Sequence, residues 1–313
     1  MTAIGIMLEG QEDLTWDRWF KFAAAAENLG FESLFRSDHL VALQGATRRD
    51  TLALWPSLTA LALRTERIRF GVLVSPMTFR HPAIVAKAAA AVSLLSNGRL
   101  DLGLGAGWND YEHQMYGLYY PRYGTRLRML DEGTAVIKAL WSGEPTSFRG
   151  EHYQLNEAIS FPLPDPRPPV VMGGKGDKTL QVVAKYADEW NFTYDTLDTY
   201  QAKTAVLEKA CAAVGRDPAT IRRSIMMPYI AGSDEREIQA RIDAQRATFP
   251  GLPGDLAAWH KAGFLGGTPA QLIEHLQAYV DAGASRFMLQ HLNLDDLDTL
   301  ELLAAQVLPH FAA

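Results

Sequence analysis

Short apolar runs alternate with segments of helical periodicity along almost the whole chain, and no other feature limits the fold as strongly. Ile4–Leu8, Ser33–Arg36, Ile68–Val74, Arg99–Leu104, Val170–Met172, Glu189–Phe192, Ser224–Ile230 and Arg286–Gln290 read as strands one to eight. Ile68–Val74 is apolar apart from Arg69, as suits a parallel strand covered on both faces. The intervening segments read as helices. Thr15–Leu29 carries Trp16, Trp19, Phe20 and Ala23 on one face and stops at Gly30. Leu52–Arg64, Ala83–Leu95 and Tyr123–Trp141 follow strands two, three and four. Thr179–Ala187, Asp198–Val214, Glu235–Phe249, a helix from Thr268-Pro269 to Asp281, and Leu294–Leu308 complete the series.

Eight strands, each followed by helix, predict a (β/α)8 TIM barrel over a single 1–313 domain. Strand counting leaves an open doubly wound sheet as the alternative. Two stretches exceed ordinary connections. Ser142–Pro169, with six prolines from Pro145 onward, predicts an excursion between strands four and five, with short strands near Phe148 and His152–Leu155. Pro250-Gly251-Leu252-Pro253-Gly254 predicts an insert before strand eight, followed by the helical Leu256–Ala262.

Composition removes several classes of function. The net charge is −6 and no Lys/Arg run exceeds a pair, which argues against a nucleic-acid partner and for a small-molecule substrate. The one cysteine, Cys211, sits in a helical stretch and allows no internal disulfide, which suits a reducing cytoplasm. The N-terminus lacks a basic, apolar leader and no window is long and apolar enough to span a bilayer, so a cytoplasmic protein without membrane attachment is expected. His39, His81, His113, His152, His260, His275, His291 and His310 are scattered without an H-x-H or H-E-x-x-H spacing, so no metal centre is expected. A G-x-S-x-G nucleophile elbow is missing too.

In a barrel, chemistry sits on the loops that follow the strands. Those loops bring Glu9, then Ser37-Asp38-His39, then Ser75, then Gly105-Ala106-Gly107-Trp108, then Gly173-Gly174-Lys175-Gly176, then Tyr194, and finally His291 to one end. Glycines after strand five let backbone N–H groups approach a ligand at the start of a helix, and Lys175 adds charge. The loop suits a phosphate; a tight turn that needs only glycine torsions is the other reading. Gly103-Leu104-Gly105-Ala106-Gly107 is not a dinucleotide fingerprint, because Trp108 holds the third glycine position and the segment follows the fourth strand. It reads as close approach of backbone to a flat ring with Trp108 as a wall, or as small residues packing a strand end. Asp38-His39 directly follows a strand, and an imidazole there can take or give a proton near neutrality. A capping aspartate beside a surface histidine is the plainer alternative.

Over nearly its whole length the chain resembles the luciferase-like monooxygenase superfamily, in its branch of deazaflavin-dependent oxidoreductases. The resemblance rests on Ala25-Ala26-Glu27-Asn28-Leu29-Gly30-Phe31-Glu32-Ser33-Leu34, on Ser37-Asp38-His39, and on Thr78-Phe79-Arg80-His81-Pro82. It is strongest over Ser96-Asn97-Gly98-Arg99-Leu100-Asp101-Leu102-Gly103-Leu104-Gly105-Ala106-Gly107-Trp108, and over Gly173-Gly174 with Ala187-Asp188-Glu189-Trp190-Asn191. It implies coenzyme F420 as cofactor, with FMN as the alternative, bound at the strand C-termini. By the same resemblance Asp38 and His39 lie beside the ring, and a non-prolyl cis peptide near Leu73-Val74-Ser75 buttresses it. Gly105, Ala106, Gly107 and Trp108 flank the ring or its side chain, and Met172, Gly173, Gly174, Lys175 and Gly176 hold the ribityl chain and phosphate. The implied reaction is hydride transfer to or from a small organic substrate. His39 is then the proton donor or acceptor with Asp38 beside it, Glu9 positions the substrate, and Trp108, Tyr194 and His291 contact it. A homodimer is the implied assembly, and FMN with molecular oxygen would add a separate flavin reductase as partner. Strand eight ends in Gln290-His291 rather than Arg or Lys, which departs from the sugar-phosphate dehydrogenases of this branch.

Overall fold

The computed structural model describes residues 2–44 and 48–311. The strands are β1 (Ala3–Leu8), β2 (Ser33–Arg36), β3 (Arg69–Pro76), β4 (Leu100–Gly105), β5 (Thr146–Arg149), β6 (Gln154–Ala158), β7 (Val170–Gly173), β8 (Glu189–Thr193), β9 (Arg222–Ala231), β10 (Leu265–Gly267) and β11 (Arg286–His291). The helices are α1 (Trp16–Asn28), α2 (Leu54–Arg64), α3 (Pro82–Leu95), α4 (Asp110–Met115), α5 (Tyr123–Leu140), α6 (Asp177–Tyr186), α7 (Leu197–Ala213), α8 (Glu235–Thr248), α9 (Leu256–Lys261), α10 (Pro269–Asp281), α11 (Asp298–Gln306) and α12 (Leu308–Phe311).

Eight strands close a parallel barrel in the order β1-β2-β3-β4-β7-β8-β9-β11, with β11 returning to β1 through the register Ala3↔Arg286 to Leu8↔His291. The open-sheet alternative is thereby excluded. The strand alternation explains the layers. Ile4, Ile6 and Leu8 of β1 face outward into the core shared with Trp19, Phe22 and Ala26 of α1, whereas Met7 points inward. Met7, Phe35, Leu73, Val171, Met226 and Met288 fill one layer of the barrel interior.

Below that layer, at the N-terminal end of the strands, the interior is ionic. The guanidinium of Arg286 is buried against Asp101 at 2.8 Å, Glu32 at 2.9 Å and Glu189 at 3.0 Å. Arg69 also pairs with Asp101, and the Arg286 guanidinium lies 4.9 Å from the centre of the Phe35 ring. Three carboxylates hold Arg286 charged and raise its pKa despite burial, so this end is plugged.

The predicted excursion contains the antiparallel hairpin β5–β6. The insert before strand eight holds more order than the sequence indicated. Ser224–Pro228 of β9 pair with β11, but Tyr229–Ala231 pair with β10, a strand the sequence analysis missed. The end of β9 therefore leaves the barrel wall and carries a small core of Ile230, Ile238, Ile242 and Trp259, packed by Leu252, Leu256 and Phe264. No helix among the described residues is long and apolar enough to cross a membrane.

Candidate active site

A cavity of about 750 Å³ opens at the C-terminal end of the barrel, within the range of small-molecule and cofactor sites. Glu9, His39, Leu73, Val74, Gly105, Ala106, Gly107, Trp108, Gly173, Gly174, Lys175, Gly176 and Tyr194 line it. The sequence analysis had placed all of these at this end. The Leu73–Val74 peptide is cis, and both side chains face the cavity at a break in the β3–β4 register. Val74 lies beside the strand-end glycines. A Cβ added at Gly105 would come within 2.4 Å of its Cγ2, so any larger residue there would have to displace the valine.

His39 is held by a group the sequence analysis overlooked. Its Nδ1 lies 2.8 Å from Oε1 of Glu112, and the other oxygen of Glu112 accepts the backbone N–H of Leu40 at 2.9 Å. Glu112 comes from the short helix α4, whose first turn is capped by Asn109. A carboxylate can only accept, so Nδ1 is the donor and the lone pair of the neutral ring lies on Nε2. Burial pushes the imidazole pKa down, but the bonded and charged Glu112 outweighs it, and the net shift is upward. Trp108 stands edge-on to the imidazole with ring centres 5.7 Å apart.

The glycine loop after β7 forms a cradle. Gly174 has φ +125°, a torsion that favours glycine, and a Cβ there would meet Thr179 Cγ2 at 3.1 Å. A Cβ on Gly176 would meet the Tyr123 hydroxyl at 3.3 Å and Thr179 Oγ1 at 3.4 Å, and those hydroxyls are 2.7 Å apart. Gly176 is the N-cap of α6 and offers no side chain to cap it. Two hydroxyls thus converge on the positive end of a helix beside glycines that leave room for a ligand, which fits a phosphate-bearing group. Asp177 in the first turn is paired with Lys203 at 2.7 Å.

Lys175 is used differently from the sequence expectation. Its ammonium binds Asp195 Oδ2 at 2.6 Å and Tyr194 O at 3.0 Å, so it ties the loop after β7 to the loop after β8. Tyr194 takes φ +50° at that junction.

Four further expectations are corrected by placement. The Asp38 carboxylate turns away from the cavity, accepting from Ser75 Oγ at 2.7 Å and from Arg80 at 2.5 and 3.1 Å, because those donors satisfy a charge that could not stay buried alone. Ser75 is committed to the same bond. Met172 points outward into the helix-facing core, since it lies one residue before Gly173 on an alternating strand. His291 is buried outside the barrel, bonded to Tyr229 Oη at 2.6 Å and Asn293 O at 2.8 Å. Burial pushes its pKa down to about 4, so it stays neutral at ordinary pH. Its neighbours Gln290 and Leu292 face the cavity instead.

A closed parallel barrel with an imidazole–carboxylate pair and a glycine cradle at its open end is the architecture of a barrel enzyme. Residues 1–265 match the family of luciferase-like monooxygenases, and the chain belongs to that family of oxidoreductases. It is 30% identical to the "F420-dependent hydroxymycolic acid dehydrogenase" of Mycobacterium tuberculosis, over 98% of this chain and 87% of that protein. It is 26% identical to the "F420-dependent glucose-6-phosphate dehydrogenase" of Amycolatopsis mediterranei, over 94% of both. The fold matches an F420-dependent secondary alcohol dehydrogenase, in a complex with an F420–acetone adduct, with a TM-score of 0.84 at 20% identity over 99% of each chain.

Proposed function

We propose that the protein is a coenzyme F420-dependent oxidoreductase acting on a small alcohol or carbonyl compound. The observation that carries this reading is the His39–Glu112 pair, with Nε2 of His39 free beside a cavity in the size range of cofactor sites. The relatives named for F420 support it, as does a cradle into which a phosphate-bearing side chain fits.

In this reading Gly174, Gly176, Thr179 and Tyr123 hold the phosphate, and Val74, Gly105 and Trp108 flank the ring. A bound deazaflavin supplies a two-electron hydride acceptor or donor. The chain supplies the proton chemistry. Nε2 of neutral His39 takes the hydroxyl proton of an alcohol, and the same atom, when protonated, returns it to a carbonyl oxygen. Glu112 fixes the ring and stabilises the imidazolium, so it acts through His39. Asp38, with Arg80 and Ser75, is a positioning group behind the strand ends.

Titration with coenzyme F420 and with FMN, followed by intrinsic tryptophan emission, tests the assignment, because Trp108 among the seven tryptophans lines the cavity. Saturable quenching by F420 is expected. Tight FMN binding without a response to F420 would overturn it in favour of an oxygen-using enzyme fed by a flavin reductase.

A further inference from the structure

We propose that the cavity selects an uncharged alcohol or carbonyl compound with an apolar body and rejects phosphorylated sugars, through a hydrogen-bond chain that fixes Glu9 as a hydrogen-bond acceptor opposite the glycine cradle. This deepens the oxidoreductase reading and rests on it. In the ring of eight strands, β1 and β11 stand across the barrel from β7 and β4, so Glu9 and Gln290 face the cradle from the far wall. The Tyr194 hydroxyl donates to Gln290 Oε1, and Gln290 Nε2 donates to Glu9 Oε1. From the other side Gln11 Nε2 donates to Glu9 Oε2 at 2.8 Å, while the Ser37 hydroxyl donates to Gln11 Oε1 at 2.6 Å.

The chain has one direction. Each amide oxygen is occupied by a hydroxyl, so each amide turns its NH2 group to Glu9, which must accept from both sides. A carboxylate with one donor on each oxygen still presents lone pairs to the cavity, and these repel the acceptor oxygens of a phosphate. Burial and the charge of Glu9 both push the Tyr194 pKa up, so that hydroxyl stays neutral.

Nothing on this wall balances an anion. Among the described residues that line the cavity only Lys175 and His39 can be cationic. Asp195 already neutralises Lys175, and Glu112 does so for protonated His39. A phosphate placed against this wall would meet the Glu9 charge with no free cation among the described lining residues to compensate it. Met226, Pro228, Phe249, Leu252 and Leu292 add apolar surface, interrupted by Gln44, Asn191 and Thr193. Phe249 caps the end of α8 and Leu252 comes from the insert, so the segment before β10 shapes the substrate side of the cavity.

The test uses protein loaded with whichever of coenzyme F420 and FMN it retains, so the cofactor reading can fail while this one stands. Calorimetric titration compares 2-octanol with glucose 6-phosphate. The alcohol is expected to bind at least about 100-fold more tightly. Glu9→Gln should reduce that ratio at least tenfold, and Gln290→Lys should raise glucose 6-phosphate binding, with cofactor affinity and thermal midpoint unchanged in both. Tighter binding of glucose 6-phosphate by the unaltered protein would overturn the proposal. So would an unchanged ratio in both folded variants.

Discussion

The two ends of the barrel hold the same kinds of residue and use them in opposite ways. At the N-terminal end Arg286 meets Asp101, Glu32 and Glu189 at 2.8 to 3.0 Å and is sealed beneath Phe35. At the C-terminal end Glu9, Glu112 and His39 are also held by close partners, but each stands at a cavity. Below, opposite charges meet each other and water is excluded. Above, neutral amides hold Glu9 and one imidazole holds Glu112, so at these two carboxylates acceptor capacity is left over for a ligand. The difference lies in what each charge is paired with rather than in how deeply it is buried.

That contrast can be broken by three substitutions, in falling order of effect. His39→Ala at the open end should lower turnover by about 10²–10⁴, while cofactor affinity stays within about 1 kcal/mol. Steady-state rates with a parallel cofactor titration check this, and unchanged turnover would remove His39 from the mechanism. Arg286→Met at the closed end should do the reverse. Leaving buried carboxylates unpaired costs about 3–5 kcal/mol of stability, read from the urea midpoint, whereas the folded fraction should bind cofactor normally. Impaired cofactor binding by folded Arg286→Met would show that the two ends are coupled.

Glu112→Gln sharpens the contrast through pH. Alcohol oxidation needs neutral His39, so its rate rises as pH passes the raised imidazole pKa. Removing the carboxylate takes away the largest upward contribution and leaves burial opposed only by the charges of Glu9 and Asp38, so the acidic limb should move to lower pH. Carbonyl reduction needs the imidazolium, so its alkaline limb should move to lower pH as well. A stationary limb would separate Glu112 from the titration. The sign for stability follows. The pair's contribution is fully present below the unfolded histidine pKa of about 6.5 and is lost as pH rises through the raised folded value.

Much of the site was legible because alternation fixes which end of a strand a residue reaches. Glu9, His39, Gly105 and Gly174 follow apolar strands closely enough for the barrel rule to gather them. His291 and Met172 show its limit. Both lie at strand ends, but a shift of one residue turns a side chain from the cavity to the helices, and a strand boundary read from sequence is not that precise. Glu112 was hidden for a different reason. Asn109 with a glutamate three residues on looks like the start of a helix in which the glutamate serves the cap, and Asn109 does cap α4. The glutamate instead crosses to His39, 73 residues earlier in the chain.

The sequence alone determined the strand–helix alternation and the list of loops that follow the strands, because hydrophobic period and glycine torsions are local; closure into a barrel rested on the pairing of β11 with β1. Only the tertiary structure decided which polar groups meet. It gave Lys175 to Asp195 rather than to a phosphate, Asp38 to Arg80 rather than to the cavity, and Glu112 to His39. Each choice depends on charges from distant segments arriving within about 3 Å, and at that distance pairing and desolvation, not position along the chain, set the chemistry.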